Sequence, residues 1–387
     1  MTIAPLKAGI IGTGFIGPVH LEALRRNGIP VAAVCDTTDR AQAAARQYGI
    51  PEVFGDLQYR KLLQSPNVDV VHITTPNRFH CEMSLAALQA GKHVVCEKPL
   101  AMHAGETAKI VKAAKKAGTV FAVNYNVRFY PAVLRLRNAV AHGELGDIIH
   151  VNGSYLQDWL FKDTDYNWRL LPKEGGKLRA VADIGTHWMD TVSFILGAKI
   201  TQVFADLSTF HKNRKRPLGE VQTFSKATTG MKYATYAVKT EDFGFVLLKF
   251  GNGARGNLSV SQVAAGRKNC IRIEIYGSKK SAWWNSEEPE TLWFGNRDTA
   301  NEVAVRNTPA FSEGATGFMD YPAGHVEGFP DTFKMLFRNV YQTIATGGKA
   351  PRLFATPEDG HQEVKVCEAV EKSHRNQAWV KVNGDQI

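Results

Sequence analysis

The sequence predicts two domains of different class, an α/β domain with a doubly wound parallel sheet and an α+β domain with an antiparallel sheet. Its 387 residues exceed the roughly 250–300 residues at which a single hydrophobic core usually stops growing. Residues 1–126 alternate apolar runs with helical patterns, which is typical of parallel strands joined by helices. Residues 127–387 contain successive runs of period two, which favour antiparallel strands. We therefore expect the domain boundary after residue 126.

The elements of the first domain follow from apolar runs and helical spacing. After the apolar run that precedes Gly12, the predicted strands cover residues 31–36, 51–54, 68–75, 93–96 and 119–125. The predicted helices cover residues 40–48, 56–64, 77–90 and 105–117. In the second domain, the predicted strands cover residues 147–157, 200–208, 233–240, 245–250, 254–263 and 271–276, and the helices cover residues 131–141, 186–196, 332–346 and 358–374.

Composition indicates an ordinary globular protein, with 44% hydrophobic and 22% charged residues. The five cysteines are scattered without CxxC spacing, which argues against a disulfide framework or a zinc site and favours a reducing compartment. No leader pattern precedes the first strand, and no apolar run approaches the roughly 20 residues that a membrane span needs. We expect a cytoplasmic protein with no membrane partner and no metal.

The formal charge of +10 raises the question of nucleic acid binding. The basic residues are spread along the chain, and the densest cluster, residues 211–216, has no interleaved aromatic side chains. We therefore expect a solvated loop there and no nucleic acid partner. A positive surface would also attract an anionic dinucleotide.

The strongest motif is the stretch KAGIIGTGFIG at residues 7–17. Gly12 and Gly14 would allow a sharp turn that approaches a phosphate, and Gly17 would allow the helix to pack closely against its strand. The next apolar run ends at Asp36, 19 positions after Gly17, where a carboxylate can bind a ribose diol. This combination predicts a Rossmann dinucleotide site, and an ordinary glycine turn is the alternative.

Further ligand contacts are expected where other strands end, because a doubly wound sheet binds ligands at the carboxyl ends of its strands. Lys98 follows one such strand, and the proline after it favours an extended backbone. Its ammonium group would stabilise negative charge on a substrate oxygen, although many lysines after strands lie on the surface. The predicted cofactor contacts in these segments are Gly12, Gly14, Phe15, Ile16, Gly17, Asp36, Thr37, Thr75, Pro76, Asn77, His80, Glu97 and Lys98.

Asp183 and His187 precede a helical pattern and form a second candidate group. If Asp183 caps the helix, both side chains share one face at its start. The positive end of the helix dipole disfavours an imidazolium, so His187 would accept a proton while Asp183 orients it. The alternative is a capping aspartate followed by a histidine in a domain interface.

A third group mixes aromatic and polar residues between positions 155 and 169. Aromatic planes suit the apolar faces of sugars and polar side chains suit their hydroxyl groups, although core packing explains such aromatic residues equally well. His325 lies in a loop rich in glycine and proline, where a core histidine is less expected. The predicted substrate contacts are Lys98, Tyr155, Trp159, Trp168, Arg169, Asp183, His187 and His325.

With GTGFIG, Asp36, TTPN, CEKPL and DIGTHW in this order, the chain resembles the glucose–fructose oxidoreductase and inositol dehydrogenase (Gfo/Idh/MocA) family over essentially its whole length. The resemblance implies a Rossmann domain followed by an open-faced antiparallel sheet domain, with homodimers or homotetramers built on that sheet. It implies NAD(P)-dependent oxidation or reduction of a sugar or cyclitol, with Lys98, Asp183 and His187 as the catalytic group.

The resemblance also adds Asn126 to the cofactor contacts and Arg128 to the substrate contacts, at the domain junction. Residues 157–169, 261–269 and 321–334 look like the branch that contains levoglucosan dehydrogenase and other glycoside 3-dehydrogenases. That branch implies transfer of hydride from C3–H of a pyranose ring to NAD.

Asp36 would repel a 2′-phosphate and so favours NAD, while Thr37, Thr38 and Arg40 leave NADP open. Two alternatives remain at this point. One is an inositol 2-dehydrogenase or another cyclitol or aldose oxidoreductase. The other is a cofactor-sensing regulator without catalysis, which the intact catalytic group disfavours.

Overall fold

The computed structural model describes residues 6–218, 232–306 and 308–382. These residues form two compact units. The first unit contains residues 6–126 and 330–364, and the second contains the described parts of 127–329 and 365–382. Within the described residues, no helix combines the length and the apolar composition that a membrane crossing requires.

The first unit is built on six parallel strands and the helices that connect them. The strands are β1 (Ala8–Ile11), β2 (Val31–Cys35), β3 (Glu52–Phe54), β4 (Val70–Ile73), β5 (His93–Cys96) and β6 (Phe121–Val123). The helices are α1 (Ile16–Arg26), α2 (Thr38–Tyr48), α3 (Tyr59–Gln64), α4 (His80–Gln89) and α5 (Ala104–Ala117), with a 3₁₀ turn at Asn77–Phe79. The strand order β3-β2-β1-β4-β5-β6 confirms the predicted doubly wound sheet.

The second unit and the C-terminal part of the chain contain the remaining elements. The helices are α6 (Pro131–Ala141), α7 (Pro172–Gly175), α8 (Thr186–Leu196), α9 (Pro309–Ser312), α10 (Phe329–Ala345) and α11 (Pro357–Asn376), with a π-helical turn at Val181–Gly185 and 3₁₀ turns at Asn126–Phe129 and Trp168–Leu170. The first strands are β7 (Ile148–Leu156), β8 (Ile200–Ser208), β9 (Asn213–Pro217), β10 (Tyr233–Ala237), β11 (Phe243–Phe250) and β12 (Arg255–Ser261). The others are β13 (Cys270–Gly277), β14 (Ser281–Asn285), β15 (Thr291–Gly295), β16 (Glu302–Val305) and β17 (Val380–Lys381).

Nine of these strands form one sheet, in the order β16-β15-β14-β13-β7-β12-β11-β8-β17. Neighbouring strands pair antiparallel, apart from the parallel pair of β7 and β12. Strands β9 and β10 form a separate antiparallel pair. The predicted α+β class is confirmed, and the sheet is mixed at one position.

Residues 330–364 pack with the first unit, although the chain reaches them after the second. The rings of Phe333 and Phe337 on α10 lie 5.8 and 4.7 Å from the ring of His20 on α1. The backbone N–H of Val123 in β6 donates to the carbonyl oxygen of Ala355 at 2.8 Å. The predicted division into 1–126 and 127–387 did not include this return, because it depends on contacts between distant parts of the chain.

The structure of the basic cluster at residues 211–216 differs from the predicted one. Instead of a solvated loop, most of it forms strand β9, which pairs with β10. Arg214 is 1% exposed and its guanidinium donates to Asp242 at 2.7 Å. The buried carboxylate compensates the arginine charge, and sequence periodicity does not reveal such a partner.

Candidate active site

The turn between β1 and α1 carries the predicted glycine motif. Gly12 has a φ of 100°, and a side chain there would meet backbone atoms of Thr74 at 2.9 Å. A side chain at Gly17 would clash with the carbonyl oxygen of Gly12. At Gly14, by contrast, an added Cβ atom would meet no atom of the described residues within 4 Å. The turn is therefore tightly packed against the sheet and open at Gly14, where a phosphate can approach the backbone.

Asp36 follows β2, and its carboxylate is held against this turn. Its Oδ2 atom accepts hydrogen bonds from the backbone N–H and the hydroxyl of Thr13 at 2.6 and 2.7 Å. Its Oδ1 atom accepts the N–H of Thr37 at 2.7 Å. The carboxylate is nearly buried and has a fixed orientation. Since each carboxylate oxygen accepts more than one hydrogen bond, Oδ1 retains capacity for a ribose hydroxyl.

The loops after β4 and β5 are tied together by His80. Its Nε2 and Nδ1 atoms each lie 2.8 Å from a carbonyl oxygen, that of Thr75 and that of Pro99 respectively. Burial lowers the pKa of His80, while the two carbonyl groups oppose that shift. The ring is fully buried, so the predicted contact with a cofactor would require it to become exposed. Thr75 and Pro76 are half-buried in this loop, and Asn77 is buried.

Glu97 and Lys98 lie in the loop that follows β5. The Glu97 carboxylate accepts hydrogen bonds from Asn124 and from the Lys98 backbone N–H, the latter at 3.2 Å, and it lies 3.0 Å from His20 Nε2. Burial raises the pKa of Glu97, but the interaction with His20, the charge of Lys98 and the amide of Asn124 outweigh it and lower that pKa to about 2. Glu97 is therefore an ionised group directly beside the half-buried Lys98.

Asp183 and His187 lie at the N-terminal end of α8, in a local structure that differs from the predicted one. The π-helical turn Val181–Gly185 runs directly into α8, and Asp183 lies inside it. The prediction that Asp183 caps the helix is wrong, because helical backbone already begins at Ala180. Its carboxylate accepts hydrogen bonds from Arg169 Nε at 3.0 Å and from Gln262 Nε2 at 2.8 Å. Such π turns are frequent at functional sites.

Gln262 and Arg179 support Asp183, and the sequence interpretation identified neither. Gln262 is fully buried, and its Oε1 atom accepts a hydrogen bond from Arg179 Nη1 at 3.1 Å. Arg179 in turn forms a buried ion pair with Asp242. The amide that holds Asp183 is thus itself fixed by a buried charged group. In the sequence, the only sign of a role for Gln262 was its position as a polar residue near the end of the predicted strand 254–263.

The aromatic group begins with a hydrogen-bonded row of side chains near His187. Tyr155 Oη and Gln157 Nε2 donate to Asn269 Oδ1 at 2.7 and 2.8 Å, and Trp159 Nε1 donates to Gln157 Oε1 at 2.8 Å. The rings of Tyr155 and His187 are 6.2 Å apart. Burial raises the pKa of Tyr155, with smaller contributions from a neighbouring tyrosine and from Asp183. Tyr155 therefore remains a protonated hydrogen-bond donor.

Trp168 and Arg169 form the other part of the aromatic group. The Arg169 guanidinium lies 4.3 Å from the centre of the Trp168 ring, a distance typical of a cation–π contact. The same guanidinium pairs with Asp183. Arg169 therefore connects the predicted sugar-stacking aromatic residue with the predicted catalytic carboxylate.

Two predicted substrate residues lie in separate clusters of the second unit. Arg128 forms a bidentate pair with Asp190, with N···O distances of 2.7 and 2.5 Å, and both side chains are buried. His325 is exposed, and its carbonyl oxygen accepts a hydrogen bond from Arg306 at 2.6 Å. These contacts give Arg128 and the loop of His325 clear structural roles, and their substrate contacts stay predictions.

Asn126, predicted to contact the cofactor, lies in the first unit. Its Nδ2 atom donates to Thr332 Oγ1 at 2.7 Å, and it is 1% exposed. The predicted residues therefore fall into two groups. The glycine turn, Asp36 and Lys98 belong to the first unit, while Asp183 and His187 belong to the second.

Two family models match the chain. One, described as an oxidoreductase family with an NAD-binding Rossmann fold, matches residues 6–125. The other, described as the GFO/IDH/MocA C-terminal domain, matches residues 133–283. The chain belongs to the Gfo/Idh/MocA oxidoreductase family. The predicted resemblance is thereby confirmed.

Several curated relatives of this Gfo/Idh/MocA protein are named as dehydrogenases. Levoglucosan dehydrogenase of Pseudarthrobacter phenanthrenivorans is 31% identical over 392 residues, which cover 97% of this chain and 98% of that protein. D-glucoside 3-dehydrogenase of Escherichia coli is 30% identical over 363 residues, which cover 90% of this chain and 97% of that protein. A solved structure of levoglucosan dehydrogenase in complex with NADH and L-sorbose has a TM-score of 0.87 and 29% identity, covering 99% of this chain and 100% of that one.

The first unit of this Gfo/Idh/MocA protein is an NAD-binding Rossmann domain, as the sequence predicted. Its residues fit the cofactor. The space beside Gly14 is free of the described protein atoms, and the Asp36 carboxylate is oriented at the end of β2. Phe15 is 52% exposed at the start of α1, where a dinucleotide can cover it. NAD would be held by this turn, by Asp36 and by the loops after β4 and β5.

Proposed function

We propose that this protein is an NAD-dependent dehydrogenase that oxidises a ring carbon of a sugar, anhydrosugar or glycoside, with C3 as the reacting carbon. The observation that carries the proposal is the match to levoglucosan dehydrogenase across 97% of the chain. The relative named D-glucoside 3-dehydrogenase supports the choice of C3. The aromatic and charged side chains around Asp183 have the chemistry that a pyranose requires.

Lys98, Asp183 and His187 are proposed as one catalytic group, and bound NAD supplies the hydride acceptor. His187 accepts the proton of the substrate hydroxyl, as a general base. Asp183, fixed by Arg169 and Gln262, provides the negative charge that favours a proton on His187. Lys98 donates a hydrogen bond to the reacting oxygen and stabilises the negative charge that develops there.

The substrate ring is proposed to lie among Tyr155, Trp159, Trp168 and Arg169. The aromatic planes contact the apolar faces of the ring, while Arg169 binds hydroxyl groups. The network that joins Tyr155 to Trp159 through Gln157 keeps these side chains in place. Side chains that are already held in place lose little entropy when a ligand binds.

A substrate panel tests the proposal. Purified protein is mixed with NAD or NADP and with levoglucosan, methyl and aryl glucosides, glucose or myo-inositol, and NADH absorbance is followed. We expect turnover with NAD on a pyranose or anhydrosugar, and an oxidised C3 carbon when the product is analysed by NMR. Turnover on myo-inositol alone would contradict the substrate class, and bound NAD without any turnover would favour a cofactor-sensing regulator.

The His187→Ala variant tests the proposed base. We expect a loss of roughly 10²–10⁴ in kcat, the usual contribution of general-base catalysis. The rise of the oxidation rate with pH should also flatten in this variant. A pH profile that keeps its shape would exclude His187 from the role of base.

We also propose a cytoplasmic protein that forms homodimers or homotetramers through the nine-stranded sheet. The support is the exposure of large apolar side chains on β11, since Phe245 is 54% and Leu247 is 46% exposed. Alternate residues of one strand point to the same face of a sheet. Such an apolar face is typical of a protein interface.

A further inference from the structure

A chain of hydrogen bonds runs through the interior of the first unit, from Tyr341 on α10 to Glu97 after β5. Tyr341 Oη lies 3.1 Å from His72 Nε2, and His72 Nδ1 lies 3.0 Å from His20 Nδ1. His20 Nε2 lies 3.0 Å from Glu97 Oε1. Each of the four residues is at most 7% exposed. The chain ends beside Lys98, whose backbone N–H donates to the other oxygen of Glu97.

The two ends of the chain fix the position of the protons in its three contacts. The ionised Glu97 carboxylate only accepts, so His20 Nε2 carries a hydrogen. Asn124 Nδ2 also lies 3.2 Å from His20 Nε2, but it donates to the same Glu97 oxygen and so needs no acceptor on His20. At the other end, His72 Nε2 is the one acceptor of the Tyr341 hydroxyl among the residues that the structure describes, so His72 Nε2 carries none. A neutral His72 then has its hydrogen on Nδ1 and donates it to His20 Nδ1. All three contacts are satisfied when both histidines are neutral, with the hydrogen of His72 on Nδ1 and that of His20 on Nε2.

An additional proton would break this arrangement. Protonation of His20 at Nδ1 would place two N–H groups 3.0 Å apart unless His72 changed its tautomer. His72 would then point an N–H at Tyr341, and the tyrosine hydroxyl would lose its acceptor. A buried polar group without a partner is destabilising. Burial, together with nearby His20, lowers the pKa of His72 well below its ordinary value, which agrees with a neutral ring.

The charged groups around the chain are few. Asp69 acts on the Tyr341 end, where burial and then this carboxylate raise the pKa of the tyrosine above its ordinary value. Lys98 and the amide of Asn124 act on the Glu97 end. The rings of Phe333 and Phe337 pack against His20 from α10 and carry no charge. The tautomer of His20 therefore determines whether an N–H group holds the Glu97 carboxylate in place beside Lys98.

We propose that His72 is a positioning residue that fixes the tautomer of His20 by donating to its Nδ1 atom, so that His20 Nε2 donates to the Glu97 carboxylate and holds it beside Lys98. Tyr341 completes the arrangement by fixing the tautomer of His72. The Glu97 carboxylate in turn accepts the backbone N–H of Lys98 and so fixes the position of the lysine. This inference rests on the proposed catalytic role of Lys98.

Nitrogen-15 NMR of the full-length protein labelled at histidine tests the tautomers without any turnover. We expect a protonated Nδ1 and a bare Nε2 for His72, and the reverse for His20, with signals assigned from His72→Asn and His20→Asn variants. A protonated Nδ1 on His20 at neutral pH would overturn the inference. Because this experiment needs no substrate, it is decided independently of whether the protein oxidises sugars.

The value of kcat/KM tests the consequence for Lys98. His72→Asn keeps an N–H donor near His20, whereas His72→Leu removes it. We expect the Leu variant to lower kcat/KM about 10- to 100-fold, the usual cost of a misplaced catalytic group, with NAD affinity nearly unchanged, and the Asn variant to keep most of the wild-type value. Tyr341→Phe should lower kcat/KM by less, and it serves if the Leu variant does not fold.

His93→Leu is the matched control, because His93 lies on the neighbouring strand β5 and its Nδ1 accepts the Val120 N–H at 2.9 Å, outside the chain described above. A structural cost alone would lower kcat/KM equally in His72→Leu and His93→Leu. Equal values in these two variants, or an equal loss in His72→Asn and His72→Leu, would overturn the inference. Sugar oxidation that proceeds normally with the wrong tautomers would leave the proposed function intact.

Discussion

Among single residues, Lys98 is the one on which the proposed reaction depends most. It lies directly after the ionised Glu97 and is half-buried, which suits a fixed positive charge. We expect Lys98→Ala to lower kcat/KM by about 10²–10³, the usual cost of removing one group that stabilises an oxyanion. NAD affinity, measured by fluorescence titration, should change little.

Lys92→Ala is the control for this variant, because the Lys92 ammonium binds the carbonyl oxygens of Ser65 and Val68 at 3.0 and 2.7 Å and so has a structural role. It should lower thermal stability while leaving kcat nearly intact. If Lys98→Ala lost turnover and NAD affinity equally, Lys98 would be a structural residue as well.

The ionised Glu97 carboxylate is expected to make the free energy of unfolding depend on pH in the acid range. Its pKa is lowered from 4.5 to about 2 in the folded protein, so the folded state favours the ionised form. This contribution is complete above pH 4.5 and is lost as the pH falls toward 2. The shift corresponds to about 3 kcal/mol, at 1.36 kcal/mol for each pH unit. Urea unfolding across this range should show a steeper loss of stability for the wild type than for Glu97→Gln, and parallel curves would contradict the assignment.

Single residues were predictable where a motif itself carries the chemistry. Asp36 and Lys98 each follow an apolar run, and Lys98 also precedes a proline, so their positions at the strand ends could be derived from the sequence. His72 and Tyr341 lie outside any motif, and Gln262 lies in a segment that indicated a family branch but no role for that residue. Their roles depend on partners up to hundreds of positions away, such as Tyr341 for His72, and only the folded chain brings these groups together.

Among the structural elements, the turn between β1 and α1 contains one glycine that we expect to affect folding and another that we expect to affect NAD binding. An Ala at Gly17 would clash with the Gly12 carbonyl group, whereas an Ala at Gly14 would meet no atom of the described residues within 4 Å. We expect Gly17→Ala to lower the melting temperature. Gly14→Ala should leave it unchanged and weaken NAD binding at least tenfold, measured by calorimetry, because its methyl group would occupy the space of the phosphate. Unchanged NAD affinity in Gly14→Ala would contradict the predicted cofactor position.

Elements were predicted well where the period is long and regular, as in α6, whose bounds match the prediction of 131–141. Helix α3 begins at Tyr59 and not at residue 56, because Asp56 and Leu57 have φ values of 52° and 56°. Strands β14, β15 and β16 had no predicted counterpart. They have only four or five residues each, which is too short for the period-two pattern to stand out.

For the molecule as a whole, the exposed apolar side chains on one face of the nine-stranded sheet predict self-association. Leu247 is 46% exposed on β11, and a lysine there would carry an unpaired charge into an interface, which is strongly unfavourable. We expect Leu247→Lys to shift the protein from an oligomer toward a monomer in analytical ultracentrifugation. Phe210→Lys is the control, since Phe210 is 72% exposed and lies between β8 and β9. An oligomer that persists in Leu247→Lys would place the interface elsewhere.

The predicted domain order followed from the change of period near residue 126, and the structure divides the chain at the same place. The return of residues 330–364 to the first unit was not predictable, because α10 has an ordinary amphipathic pattern that does not specify which sheet it covers. Residues 330–364 include Tyr341, which forms one end of the chain of buried hydrogen bonds. This segment therefore also belongs to the network that we propose to position Lys98.

Oxidation at C3 is tested with a substrate that carries deuterium at C3, either levoglucosan or a methyl glucoside, whichever the substrate panel shows to react. The purified protein is incubated with NAD, and the reduced cofactor is analysed by mass spectrometry. We predict that the deuterium appears in the reduced cofactor and that the turnover rate falls in Lys98→Ala without a change in the labelled position. Reduced cofactor without deuterium would contradict oxidation at C3.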